Sequence, residues 1–275
     1  FFRLSIIFCP FQDPTILFEN GVYKMWFSIV KPGIGIAYAT SSDGITWTRN
    51  PKSLVLTKGD YNAWDGLAVA DAAVIRDGST YKMYYYGIGN NSSIGQIGLA
   101  TSQDGINWEK HSAPVLSPTP GTWDAIGVGL GDIIKTDSDY VMFYHGGSTG
   151  DIYHLGVAFS SDGISWEKYS GNPVLNKTES WEGNLGIYCP SVIYDDGLYK
   201  MVYMGRDYNS AIEAFGYATS PDAKVWKKDV NNPFHKLGLT VNKWATADIA
   251  HPFIRKIGSE YRVYYSGYGV NGKND

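Results

Sequence analysis

Cysteine is nearly missing from this 275-residue chain. Cys9 and Cys189 are its only two, which excludes a disulfide scaffold and, without other ligands, a zinc site. Each precedes a proline, as Cys9-Pro10 and Cys189-Pro190. Both read as reduced, buried thiols, with one disulfide between distant repeats as the alternative. Charge is scarce too. Lys and Arg number 23 against 27 Asp and Glu, 18% of the chain together. No basic tract stands out, which argues against nucleic acid as a partner. So little Glu and Lys beside 32 Gly excludes a coiled coil. No apolar run approaches the roughly 20 residues of a membrane helix, so no membrane span is expected. The opening FFRLSIIFCP is short and interrupted by Arg3. It reads as a strand rather than a signal peptide, and extracytoplasmic and cytoplasmic locations are both compatible with it.

What is abundant is aromatic: 9 Trp, 21 Tyr and 11 Phe. With this much glycine they point to β-structure with many turns. They also recur in register. YATSSDGITW, LATSQDGINW, VAFSSDGISW and YATSPDAKVW end at Trp47, Trp108, Trp166 and Trp226, spaced 61, 58 and 60 residues apart. A second series reads YKMWF, YKMYYY, YVMFY, YKMVY and YRVYY, five copies at a similar period. A third reads Trp64-Asp65, Trp123-Asp124, Trp181-Glu182 and Trp244-Ala245. Each repeat runs in one order: an apolar run, a turn, the alternating YKM strand, a Gly-rich loop, a further strand, an SDG turn and a final Trp. No stretch sustains a helical period. Asp-Gly suits a tight hairpin at positive φ, and each repeat reads as four antiparallel strands. Such units repeated radially make a β-propeller.

The expected architecture is therefore all-β, a five-bladed β-propeller in a single domain of residues 1–275. The blades span about 13–65, 70–124, 129–182, 188–245 and 248–275 plus 1–12. The fifth is incomplete, and residues 2–8 are placed to close the ring. In a propeller the first strand of each blade lines a central channel. The leading positions of those strands are Asp13, Asp71, Leu130, Cys189 and His251. Asp opening an apolar strand is costly to bury alone. Asp13 and Asp71, with Asp132 two positions deeper and Asp248 just before His251, would gather carboxylates about one axis. Such crowding raises some of their pKa values and suits acid–base chemistry. Asp43, Asp104 and Asp162 of the SDG segments read as turn residues. The third series falls on loops leading into each blade, where Trp64, Trp123 and Trp181 either stack on a sugar or plug the gap between blades. Arg206 and His145 are further candidates at the mouth, with Arg206 suited to clamp a hydroxyl or carboxylate.

These residues carry a resemblance over 13–265. The D-P-T of the first inner strand and the wording DG-YKM-Y followed by YATS-DGI-W resemble the five-bladed propeller glycosidases. These are glycoside hydrolase families 43 and 32, the related families 62, 68 and 117, and the mannoside phosphorylases of family 130. The resemblance implies glycosidic-bond cleavage in furanose-containing or related oligo- or polysaccharides, with Asp13 as base or nucleophile and Asp71 tuning the acid. The family's general acid stands in a Glu-Cys-Pro setting; here Tyr188-Cys189-Pro190 occupies it. Among the substitutes Asp132, Glu182 and Glu213, loop position favours Glu182. His251 matches a family position that holds a channel calcium. No cofactor is expected to be required, and a structural calcium is the one candidate metal. The alternatives are a non-catalytic carbohydrate-binding propeller and a phosphorylase.

Overall fold

The computed structural model describes residues 4–9, 12–29, 34–92, 94–148, 152–207, 213–237 and 248–268. The first repeat forms β2 (Gln12–Glu19), β3 (Val22–Ile29), β4 (Gly35–Ser41), β5 (Thr48–Arg49) and β6 (Leu56–Thr57), after β1 (Leu4–Cys9). The second forms β7 (Ala68–Asp77), β8 (Thr80–Ile88), β9 (Gln96–Ser102) and β10 (Glu109–Lys110). The third forms β11 (Gly127–Lys135), β12 (Tyr140–Gly147), β13 (Tyr153–Ser160) and β14 (Glu167–Lys168). The fourth forms β15 (Gly186–Asp195), β16 (Leu198–Arg206), β17 (Glu213–Ser220), β18 (Lys227–Lys228) and β19 (His235–Lys236), and the last β20 (Asp248–Ile257) and β21 (Glu260–Tyr268). Among the described residues the only helix is a single 3-10 turn at Ser180–Glu182. None is long and apolar enough to cross a membrane.

The fold is all-β and built from antiparallel sheets. Within each repeat the strands pair in chain order, first to second to third to outer. Sheets three and four touch through one parallel pair, Tyr153 with Gly186. The last repeat has two strands of its own, and β1 joins them by pairing in parallel with β21, Leu4 opposite Tyr261 through Cys9 opposite Ser266. β1 thus sits beside the second strand of the last repeat with its direction reversed relative to the third strand of the other repeats. The first strands lie side by side in a closed circuit: β2 neighbours β7 and β20, and β11 and β15 lie between them.

Local chemistry explains these elements. Asn20-Gly21 and Asp196-Gly197 have φ of 52° and 80°, and of 54° and 76°, as a two-residue hairpin matched to strand twist requires. The SDG segments behave differently from the hairpin expected of them. Asp43 accepts the backbone N–H groups of Ile45 and Thr46 at 2.8 and 2.7 Å, while Ser41 Oγ accepts that of Gly44 at 2.8 Å. The acid thus pins the return loop to the outer strand, a turn role common to Asp104 and Asp162.

Neighbouring repeats are buttoned together by polar contacts over an apolar core. Tyr81 donates to Glu19 at 2.6 Å, and Lys24 bonds the same carboxylate at 2.9 Å. Lys82 reaches Tyr140 at 2.8 Å, Lys200 reaches Tyr261 at 2.7 Å, and Arg262 reaches Tyr23 at 3.0 Å. Deeper in, the fully buried Trp26 donates to Gly105 O at 2.7 Å and Tyr84 donates to Gly163 O at 2.8 Å. Here the aromatic of one YKM strand meets the SDG glycine of the next repeat.

Candidate active site

The inner strands break register at one level. Bulges fall between Gln12 and Thr15, Ala70 and Ala73, Leu130 and Asp132, Tyr188 and Ser191, and Ala250 and Phe253. In four of the five, the leading residue is forced left-handed: Asp13 (φ 50°), Asp71 (47°), Cys189 (47°) and His251 (50°). Left-handed backbone is strained for residues with a Cβ and gathers at functional sites. The Pro after Asp13, Cys189 and His251 also disfavours the right-handed helical region for the residue before it. Leu130, the apolar member, does not share the strained φ.

These four side chains converge. Asp13 Oδ1 lies 2.5 Å from His251 Nδ1, with 11% and 32% of the two side chains exposed. Donor atoms of Asp13, Asp71 and His251 all lie within 4.8 Å of one another. The Asp71 N–H donates to Ser28 Oγ at 3.0 Å. Burial pushes the Asp13 carboxyl up, but the His251 charge and hydrogen bonds from His251, Asp71 and Ser28 outweigh it and hold Asp13 well below the usual carboxylate range. Burial and then the Asp13 charge drive Asp71 well above that range. Burial alone would lower His251; the charges of Asp13 and Cys189 and bonds to both carry it well above an ordinary imidazole. Burial pushes the free Cys189 thiol up. These directions favour charge on Asp13 and His251 and the neutral form of Asp71. Two environments that force like groups apart in pKa mark an acid–base site.

The other candidates fall elsewhere. Asp132 is fully buried and saturated: Ser191 Oγ and the Val192 N–H donate to it at 2.8 and 3.1 Å, Ile133 N–H at 2.9 Å, and Arg255 at 2.9 and 3.2 Å. Its position repeats that of Thr15, which accepts Val74 N–H at 3.2 Å, and of Ser191, which accepts Ile254 N–H at 3.1 Å. Asp132 thus ties one inner strand to the next and has no lone pair aimed at the mouth.

The Trp–acid doublets, Glu182 among them, form a clamp inside the second, third and fourth repeats. Glu182 is fully buried and accepts the N–H groups of Thr178 and Glu179 at 2.7 and 2.9 Å, the Tyr203 hydroxyl at 3.0 Å, and Lys228. Asp65 does the same with Lys110 at 2.6 Å and Tyr85 at 3.1 Å, and Asp124 with Lys168 at 2.5 Å. Glu182 is therefore a structural copy of Asp65 and Asp124 rather than the missing acid. Trp64, Trp123 and Trp181 are the plugs of this device. Their rings lie 5.7, 5.6 and 5.8 Å from those of Tyr85, Tyr144 and Tyr203. They press on Gly98, Gly156 and Gly216, where any Cβ would approach the Trp ring to 2.6 Å. Of the two readings of these tryptophans, packing is the one the geometry supports. Trp244 and Ala245 lie outside the described residues, as do the side chains of Asp248 and Cys9.

Arg206, at the end of β16, pairs with Glu213 at 3.2 Å. Glu213 also accepts the Ile249 N–H at 2.9 Å. Sequence reasoning missed Ser28, which bonds both the Asp13 carboxyl and the Asp71 backbone; it lies near the end of a YKM strand with no motif of its own. It also undervalued Tyr153 and Tyr188, whose rings pack 4.7 Å apart beside His145.

Comparison with known proteins gives matches in sequence and in fold. The family model described as Glycosyl hydrolases family 32 N-terminal domain matches residues 72–250, more than half of the sequence. A 1,2-beta-oligomannan phosphorylase of Thermoanaerobacter sp. (strain X514) is 28% identical over 217 residues, covering 71% of this chain. The match spans 64% of that phosphorylase, less than two thirds of its length. A solved structure described as a glycoside hydrolase superposes with a TM-score of 0.76 at 18% identity, over 98% of this chain and 88% of that one. A thermostable family-43 glycoside hydrolase superposes at 0.73 and 20% identity, over 96% and 91%.

Proposed function

The protein belongs to the glycosyl hydrolases family 32 N-terminal domain family, and from that premise we propose that it cleaves glycosidic bonds in oligo- or polysaccharides, furanose-containing or related, at the Asp13–Asp71–His251 mouth. The observation that carries this is the convergence of Asp13, Asp71 and His251, held left-handed at one level with their donor atoms within 4.8 Å of one another. Asp13 supplies the charged carboxylate that acts as base or nucleophile. Asp71 holds a proton against it, and His251 fixes the charge of Asp13. The circuit of β2, β7, β11, β15 and β20 supports five blades around a channel, with β1 completing the last.

A second reading has its own support. Carboxyls that flank a scissile bond stand about 5–5.5 Å apart in retaining enzymes and about 6.5–9.5 Å apart in inverting ones. Donor atoms of Asp13 and Asp71 lie within 4.8 Å of each other, closer than either. A pair this tight acts as one acid–base unit. Phosphorolysis needs only one, because a phosphate oxygen attacks the anomeric carbon while the departing sugar oxygen takes a proton. The oligomannan phosphorylase similarity points the same way.

The donor set suits a channel calcium poorly. Calcium takes six to eight oxygens, whereas Asp13, Asp71 and His251 offer two carboxyls and a nitrogen-donor imidazole. We therefore assign the chemistry to the side chains alone.

The test is a screen of 1,2-β-mannobiose and 4-nitrophenyl α-L-arabinofuranoside, each with and without inorganic phosphate. Turnover without phosphate supports hydrolysis, and strict phosphate dependence selects phosphorolysis. Binding without turnover in either condition overturns the enzyme reading in favour of a carbohydrate-binding module.

A further inference from the structure

Beside the carboxyl pair stands a wall of aromatic side chains that the chemistry above leaves unused. His145 of β12 faces Gly129 of β11 and Leu155 of β13. A Cβ at Gly129 would lie 2.2 Å from His145 Nε2, so the glycine is what lets the ring lie across the inner strand. Tyr153 and Tyr188 meet the imidazole edge-on at 5.9 and 5.5 Å. Tyr188 directly precedes Cys189 of the cluster. Tyr86, on the other side, feels the charges of both Asp71 and Tyr153.

The two nitrogens of His145 are not equivalent. Nδ1 is buried and has no hydrogen-bond partner among the described residues, while Nε2 is not buried in this way. A neutral imidazole carries one proton. On Nδ1 that proton would strand a buried donor, which costs its full desolvation, so it belongs on Nε2. Burial, and then the charge of His251, bring the His145 pKa down to about 4. The ring is thus a neutral donor near neutral pH and adds no charge to the carboxyl pair there.

We propose that His145 Nε2–H holds a hydroxyl oxygen of the saccharide, with the faces of Tyr153 and Tyr188 seating the sugar ring beside Asp13. This rests on the saccharide reading above and names the positioning residues it requires. A hydroxyl is the ligand chemistry that fits, because a neutral donor flanked by aromatic faces suits an uncharged polyol with apolar C–H faces.

The experiment uses His145→Phe and His145→Gln in the full-length protein, with ¹⁵N NMR of the imidazoles and steady-state kinetics on the two saccharides of the screen. The wild type should show the Nε2-protonated neutral form from pH 5 to 8. His145→Phe, which keeps a ring, should raise KM roughly three- to tenfold, the worth of one neutral hydrogen bond, with kcat little changed. His145→Gln, which restores a donor, should recover part of the loss. An Nδ1-protonated ring, or an unchanged KM in the Phe variant beside normal wild-type turnover, overturns this assignment alone. A wild type that neither binds nor cleaves either saccharide overturns it together with the reading it rests on.

Discussion

Replacing Asp13 with Asn removes the one charge on which both neighbours depend. His251 loses its anion, and Asp71 loses the repulsion that keeps it protonated. The lost pair lies 2.5 Å apart, with side chains 11% and 32% exposed, so its worth falls between two limits. Exposed pairs contribute about 0–1 kcal/mol, and stripping one partner from a buried pair costs about 3–5 kcal/mol. Partial exposure, and the freedom of Asp71 to ionise in place of Asp13, put the loss at about 1–3 kcal/mol. At roughly 3 °C per kcal/mol for a domain of this size, the melting temperature should fall by about 3–9 °C. The sign depends on pH. His251 is raised above its ordinary 6.5, so its share is full below that value and fades as pH climbs through the folded-state value. Asp13 is depressed below its ordinary 3.8, so its share is full above that value and is lost as pH falls through the folded-state value. The gap between wild type and variant should therefore be widest near pH 5–6 and narrow in strong alkali. Differential scanning calorimetry at several pH values measures it. Turnover should drop by about 10²–10⁴-fold with the loss of the base. A variant melting within about 1 °C of wild type at pH 6, or turning over within about threefold of it, would refute the reasoning.

Three further outcomes follow from the contacts of Glu182 and Trp123 and from the donor set at the mouth. Glu182→Gln leaves Lys228 without its anion and should cost about 3 kcal/mol in urea unfolding while kcat stays intact; a collapse of kcat in a stable variant would return Glu182 to the role of acid. Trp123→Ala should destabilise by about 3–5 kcal/mol with an unchanged KM in the folded fraction, whereas a higher KM at normal stability would mean the ring touches sugar. Dialysis against EDTA should leave turnover and melting temperature unaltered, and a loss restored by calcium would contradict the metal-free assignment.

The repeats made the strands legible, because YKM and SDG report local turn and pleat chemistry. The leading positions were legible for a related reason. A Pro after Asp13, Cys189 and His251 reports a backbone break, and the break brings those side chains together. The clamps were not. Lys110, Lys168 and Lys228 each sit two residues after a Trp and look like ordinary surface charge. Their partners Asp65, Asp124 and Glu182 lie 45, 44 and 46 residues away, at a separation that no local pattern encodes. Without the lysines in view, a Trp followed by an acid on a loop reads as a sugar site. Asp132 misled similarly: on the inner strand a carboxylate looks catalytic, and partners as distant as Ser191 and Arg255, 59 and 123 residues away, turn it into a strut.

The pairing of β1 with β21 has a mechanical side. Leu4 lies opposite Tyr261 and Cys9 opposite Ser266, so tension applied through Leu4 and Tyr268 pulls the two strands past each other along their length. Parallel strands gripped at opposite ends are loaded in shear, and every hydrogen bond of the ladder carries force together instead of parting one at a time as in an unzipped hairpin. The seam that joins the first and last described strands is thus loaded along its whole length when the chain is stretched between them.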